Sequence, residues 1–173
     1  MTTIRIGLPH GHPMHDVSES IAAALARHPQ SACINCTLVI GIGALEAYSG
    51  TDTRPRVVLP LASPSMPSEM MRAQLRHADA IVVTDDAEVA YLSPSLPQSP
   101  VPVVVSLGPG TRHPYLSGAT TFDALQAATT INSHPELAAT LARAGVDLAS
   151  EPVIATIVAA MLEAAVAAGA PHG

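Results

Sequence analysis

Residues His77 to His113 read HADAIVVTDDAEVAYLSPSLPQSPVPVVVSLGPGTRH. Two short apolar runs stand out, Ala80 to Val83 and Val101 to Val105, neither of which alternates with polar residues. A β-branched run that stays apolar at every position is a strand covered on both faces, the habit of a parallel sheet. The first run stops at the acidic loop Thr84-Asp85-Asp86 and the second at the glycine loop Ser106 to His113. Between them a short helix from about Asp86 to Leu92 precedes Ser93 to Pro100, whose prolines read as a surface loop.

The same grammar extends toward the N-terminus. Ile4 to Leu8 is the first expected strand, Cys36 to Ile42 the second and Arg56 to Leu61 the third. Pro60 shortens the third or places it near an edge. Asp16, with Glu19 three residues on, has the form of a capping box opening a helix. Val17, Ile21, Ala24, Leu25 and His28 share its apolar stripe, and Pro29 ends it. Gly41 and Gly43 turn the chain into a helical piece over 44–48, and a further helix runs from about Glu69 to His77 with Pro67 in its first turn. Toward the C-terminus, helices are expected over 121–128 and from the capping box Ser133-His134-Pro135-Glu136 to Gly145. A last helix begins at Pro152, with Ile154, Ile157, Val158, Met161, Leu162 and Ala165 on one stripe and Glu163 off it.

Strands alternating with helices predict an α/β three-layer sandwich with a mostly parallel, five-stranded sheet of Rossmann or flavodoxin type and C-terminal helices. Residues 1–173 read as a single domain, since neither a repeat nor a linker divides them. Parallel strands deliver all their following loops to one edge of the sheet, where such folds bind ligands.

Composition narrows the function. Hydrophobic content of 48% against 13% charged residues belongs to a folded globule. Trp is absent and Lys is absent, Phe occurs once, and the net charge is −6. That offers neither stacking platforms nor a basic footprint, so no nucleic-acid partner is expected. The longest apolar stretch, Val153 to Ala168, carries Glu163 and makes a poor membrane span. Met1 to Arg5 leads directly into a strand-like run, so no secretory leader and a cytoplasmic, bacterial-type protein are expected.

The expected sheet edge collects the chemistry. His10, His12 and His15 crowd one loop beside Asp16. They could contact a ligand, serve as a general base or bind zinc or copper, or the loop could simply be polar. Ser63, Ser65 and Asp86 stand on neighbouring loops as ligand contacts. In Gly108-Pro109-Gly110-Thr111-Arg112-His113 the glycines free the backbone for close approach, and Thr111, Arg112 and His113 supply donors suited to phosphate or a sugar hydroxyl. Asp85, Asp86 and Glu88 provide paired carboxylates for acid/base or nucleophilic work, although Asp85 to Glu88 also has the form of a helix cap. Gly41-Ile42-Gly43 reads as a tight turn. Cys33 and Cys36 have redox or zinc-knuckle spacing, but they precede a strand and fall at the opposite edge, so they read as two small core residues.

His77 to Leu92 followed by Val101 to Gly110 resembles the N-terminal Rossmann half of GT-B glycosyltransferases, in which a helix, an ADAIVV strand, a capped helix and a VPVVV strand lead to a glycine turn. The layout is also similar to nucleoside deoxyribosyltransferases and related N-glycosidases. Their glutamate nucleophile lies on the helix after such a strand, about where Glu88 stands.

These readings predict a small α/β enzyme that binds a nucleotide, nucleoside or sugar-phosphate ligand and cleaves or transfers a glycosyl bond. Glu88 or Asp85 would be nucleophile or base, assisted by His12. His10, Ser63, Ser65, Asp86 and the 108–113 loop would hold the ligand, and no separate cofactor is required. The alternative is a non-catalytic ligand- or metal-binding or assembly module that dimerises through its Ala-rich last helix. A homodimer or higher homo-oligomer is the expected state, although the last helix could equally be core.

Overall fold

A computed structural model describes residues 2–12, 14–42, 53–61, 68–83, 90–97, 102–106, 120–121 and 151–169. The expected helical pieces over 44–48 and 133–145 lie outside these residues. The elements are β1 (Thr3–Ile6), α1 (His15–Arg27), α2 (Pro29–Cys33), β2 (Thr37–Ile40), β3 (Arg56–Leu59), α3 (Ser68–Leu75), β4 (Ala80–Val83), β5 (Val103–Ser106), β6 (Thr120–Thr121) and α4 (Glu151–Ala167). All strand pairs are parallel, and the sheet has six strands in the order β1-β2-β3-β4-β5-β6. The α/β class and the parallel sheet are therefore as the apolar runs predict. The additional strand is β6, where Thr121 pairs with Ser106 instead of opening a helix.

Helices cover both faces. On the first, Ile21 and Leu25 of α1 meet Leu38, Ile40, Val57, Leu59, Ala80 and Val82 of the sheet, together with the α4 stripe Ile154, Ile157, Val158, Met161, Leu162 and Ala165. On the second, Met71 and Leu75 of α3 meet Val39, Val58, Ile81, Val83 and Val104. Every residue of β2, β3 and β4 is buried, which is why their sequences do not alternate. β1 is an edge strand, half-buried throughout, and its Ile4 and Ile6 pack against the first cluster. Glu163 lies exposed on the outer side of α4, as expected. Among the described residues no helix is long and apolar enough to cross a membrane.

Four local expectations need correction. α1 begins at His15 with Met14 as its N-cap and no side-chain cap, so Asp16 lies inside the first turn and the capping box with Glu19 does not form. β3 does end just before Pro60, but it is flanked by β2 and β4 and is not near an edge. The Pro60 carbonyl accepts from Ile42 N (2.9 Å), so the missing N–H costs the ladder nothing on that side. Ser93–Ser95 forms a 3-10 turn, and Ser95 and Leu96 are buried, with Leu96 packed in the second cluster rather than lying on a surface loop. Pro29 does not simply stop a helix: it is the first residue of α2, after His28 accepts from Gln30 N (3.2 Å).

The strand order never reverses, unlike that of a doubly wound sheet. Yet β1 joins β2 across the first face, through α1, while β3 joins β4 across the second, through α3. Both steps advance in the same direction along the sheet, so the two crossovers have opposite hands. Right-handed crossovers make up about 98% of parallel connections, so one of these two belongs to the rare class. The consequence is that α1 and α3 lie on opposite faces of the sheet.

At that place the sheet is at its tightest. Gly7 N donates to Ile40 O (2.9 Å) and Gly41 N to Leu59 O (2.7 Å), carrying the ladder past the ends of the strands. A Cβ at Gly7 would strike the Gly41 carbonyl oxygen, and one at Gly41 would overlap the Leu8 side chain. Gly41 also holds φ at +79°, which favours glycine. Backbone cannot yield as a flexible side chain can, so Gly7→Ala should destabilise the protein by about 1–3 kcal/mol through overpacking. At Gly11, φ is +90° with open space around it, so Gly11→Ala should cost only about 1–2 kcal/mol of backbone strain. Urea unfolding of both variants compares the two.

Candidate functional site

The described part of the carboxyl edge is the connection from β1 to α1. Leu8 is buried, and Pro9, His10 and Gly11 are exposed. The loop is closed by short-range bonds: His12 N donates to Pro9 O (3.1 Å) and His15 N to His12 O (2.9 Å). The His12 ring completes the turn, its Nδ1 accepting from Met14 N (3.1 Å). That bond fixes the neutral tautomer with the proton on Nε2 and turns this nitrogen away from the backbone. In effect His12 supplies the acceptor that Asp16 was expected to provide.

His15 is buried, at 8% exposure, because α1 lays its first turn against the sheet edge. The His10 ring packs on it with centroids 4.5 Å apart and planes tilted by 42°. The Nδ1 of His15 lies 3.8 Å from Glu19 Oε1, an electrostatic contact too long for a hydrogen bond. Positions 15 and 19 are one helical turn apart and 16 and 19 nearly so, so His15, Asp16 and Glu19 share one side of α1. Their donor atoms all lie within 4.8 Å of one another. The helix dipole favours the two carboxylates in this first turn.

The structure thus brings together His10, His12 and His15 of the expected site. It adds Glu19, which sequence reasoning assigned to a cap. The signal for its second role was present, because the i, i+4 spacing from His15 is legible in the sequence. Ser63, Ser65, Asp85, Asp86, Glu88, Gly108, Gly110, Thr111, Arg112 and His113 lie outside the described residues. The strands that precede them, β3, β4 and β5, run parallel to β1, so chain leaves all four at this edge. The edge also holds Leu61, just past β3, which is buried and has a left-handed φ of +45°. A branched side chain in that region costs on the order of 1–3 kcal/mol and persists only where its surroundings enforce it.

Two further features lie elsewhere. A groove of about 640 Å³ runs between the end of α1 and the start of α4, with Ser20, Arg27, His28, Ile154 and Val158 among its walls. Because α1 runs back across the sheet, that groove is toward the amino edge, away from the histidines. Cys33 and Cys36 are also toward the amino edge, and both are unpaired thiols. Only Cys36 is a core residue, since Cys33 at the end of α2 is exposed. Burial pushes the Cys36 thiol above its ordinary range, against the opposing pull of Thr2 Oγ1 and Arg54.

Comparison with protein families, with curated proteins and with solved structures finds no match for this chain. Fold and site define it as an α/β protein with an all-parallel sheet and a histidine–carboxylate cluster at the carboxyl edge.

Thiol reactivity should separate the cysteines. A chromogenic disulfide reagent at neutral pH should modify Cys33 quickly and Cys36 only after unfolding, because the reactive species is the thiolate. Cys33→Ser should remove the fast phase entirely.

Proposed function

We propose that this protein binds a nucleotide, nucleoside or sugar-phosphate ligand at the carboxyl edge of its sheet and cleaves or transfers a glycosyl bond there, acting in the cytoplasm. The observation that carries the reading is the parallelism of β1 to β5. It brings the chain out of β3, β4 and β5 at the edge where the β1–α1 histidines stand. The tight backbone approach at Gly7 and Gly41 supports a ligand seated over the first strands.

In this reading Glu88 or Asp85 attacks the anomeric carbon, and the bond to the leaving group breaks with its electron pair. His12 assists by donating an Nε2–H hydrogen bond to the leaving group, since its Nδ1 is already an acceptor for Met14, and the leaving group takes its proton from solvent water. Water then hydrolyses the glycosyl ester, or an acceptor hydroxyl takes the sugar. His10, Ser63, Ser65, Asp86 and the loop Gly108, Gly110, Thr111, Arg112 and His113 hold the sugar and phosphate.

Incubation with a panel of nucleosides, nucleotides and nucleotide-sugars, with released base or sugar followed by chromatography, tests the reading. Wild type should turn over at least one member. Glu88→Gln or Asp85→Asn should lower kcat on the order of 10²–10⁴-fold, and His12→Ala on the order of 10-fold through the lost hydrogen bond. Inactivity of the wild type on the whole panel would overturn it.

A further inference from the structure

We propose that His15, Asp16 and Glu19 form a site for a single borderline divalent cation such as Zn²⁺. The proposal is independent of glycosyl chemistry, since it uses none of the residues assigned to bond cleavage.

The histidines themselves point to it. His12 Nδ1 accepts from Met14 N, His28 Nδ1 from Gln30 N, and His77 Nε2 from Arg76 Nε (3.0 Å). By contrast, among the described residues the rings of His10 and His15 make no hydrogen bond. His10 is exposed, whereas the His15 side chain is nine-tenths buried, with the Glu19 carboxylate 3.8 Å from its Nδ1 and the His10 ring packed on it.

Spacing and charge fit a cation. Donors on His15, Asp16 and Glu19 already lie within 4.8 Å of one another. Metal–ligand bonds of about 2.0–2.2 Å need these donors only about 3–3.5 Å apart. Asp16 and Glu19 are exposed, so side-chain rotation closes that difference without moving the backbone. The two carboxylates offset the two positive charges, and they also offset the adverse dipole of the α1 N-terminus.

The donor set selects the metal. Imidazole nitrogen with carboxylate oxygen suits Zn²⁺, Co²⁺ or Ni²⁺ over Mg²⁺ or Ca²⁺. The thiols needed for softer ions sit at the other edge, at Cys33 and Cys36. The three donors come from one helical turn, which leaves the remaining coordination position to water.

The test is titration of chelator-treated full-length protein with Zn²⁺ by calorimetry and with Co²⁺ by visible absorption. Wild type should bind one ion per chain, with the intense d–d bands of four-coordinate Co²⁺. Asp16→Asn and Glu19→Gln, both surface changes, should each weaken binding about 10–100-fold, by the order seen when a site loses a supporting group. His28→Gln should leave both readouts unchanged. His15→Gln can disturb folding, so the surface pair decides. Absence of one-to-one binding by the wild type would overturn the site, as would affinity that survives both carboxylate changes. Either result is separable from turnover of the nucleoside panel.

Discussion

The contact between Gly7 and the Gly41 carbonyl is the constraint on which this structure turns. β1 and β2 remain hydrogen-bonded beyond Ile6 and Ile40 because no side chain stands between their backbones. The ladder continues through Gly41 N to Leu59 O and Ile42 N to Pro60 O, so three strands reach the carboxyl edge in register. Separating them there would disturb the start of the β1–α1 loop and, with it, the position of every histidine in the candidate site.

Around that contact the molecule divides its labour between two edges and two faces. Both faces of β2, β3 and β4 are buried under helices, which leaves the ends of the strands as the accessible part of the sheet. The amino edge holds the buried Cys36 and the Arg56 amide, which donates to Asp79 Oδ2 (2.8 Å). The carboxyl edge holds imidazoles, carboxylates, glycines and the strained Leu61. Helices α1 and α3 lie on opposite faces although the strand order has no reversal.

Much of this was legible in the sequence, and each failure has a physical cause. Ala80 to Val83 announced a doubly covered strand because a parallel strand has no solvent face on which polar residues can alternate. The α4 stripe was equally plain, since its helical period survives in Ile154, Ile157, Val158 and Met161. Asp16 and Glu19 misled because a capping box is a local pattern, and the helix start was instead set by His12 closing the turn onto Met14. Ser93 to Leu96 looked like solvated loop because prolines break helices, but a 3-10 turn tolerates Pro94 and presents Leu96 to the core. Thr121 pairs with Ser106 because a neighbouring edge strand was available to it, which no local preference records.

By itself the sequence determined the strands β1 to β5 and the helices α1, α3 and α4, that the sheet is parallel, and that histidines gather on the first loop. Those follow from hydrophobic period and from residue types near one another in the chain. Tertiary structure alone decided the strand order, the opposite hands of the two crossovers, the backbone approach of Gly7 and Gly41, and the packing of His10 on a buried His15. Each of these depends on segments distant in sequence or on the path of a loop through space. Local propensity carries no information about either, because their energies arise only once the sheet has assembled.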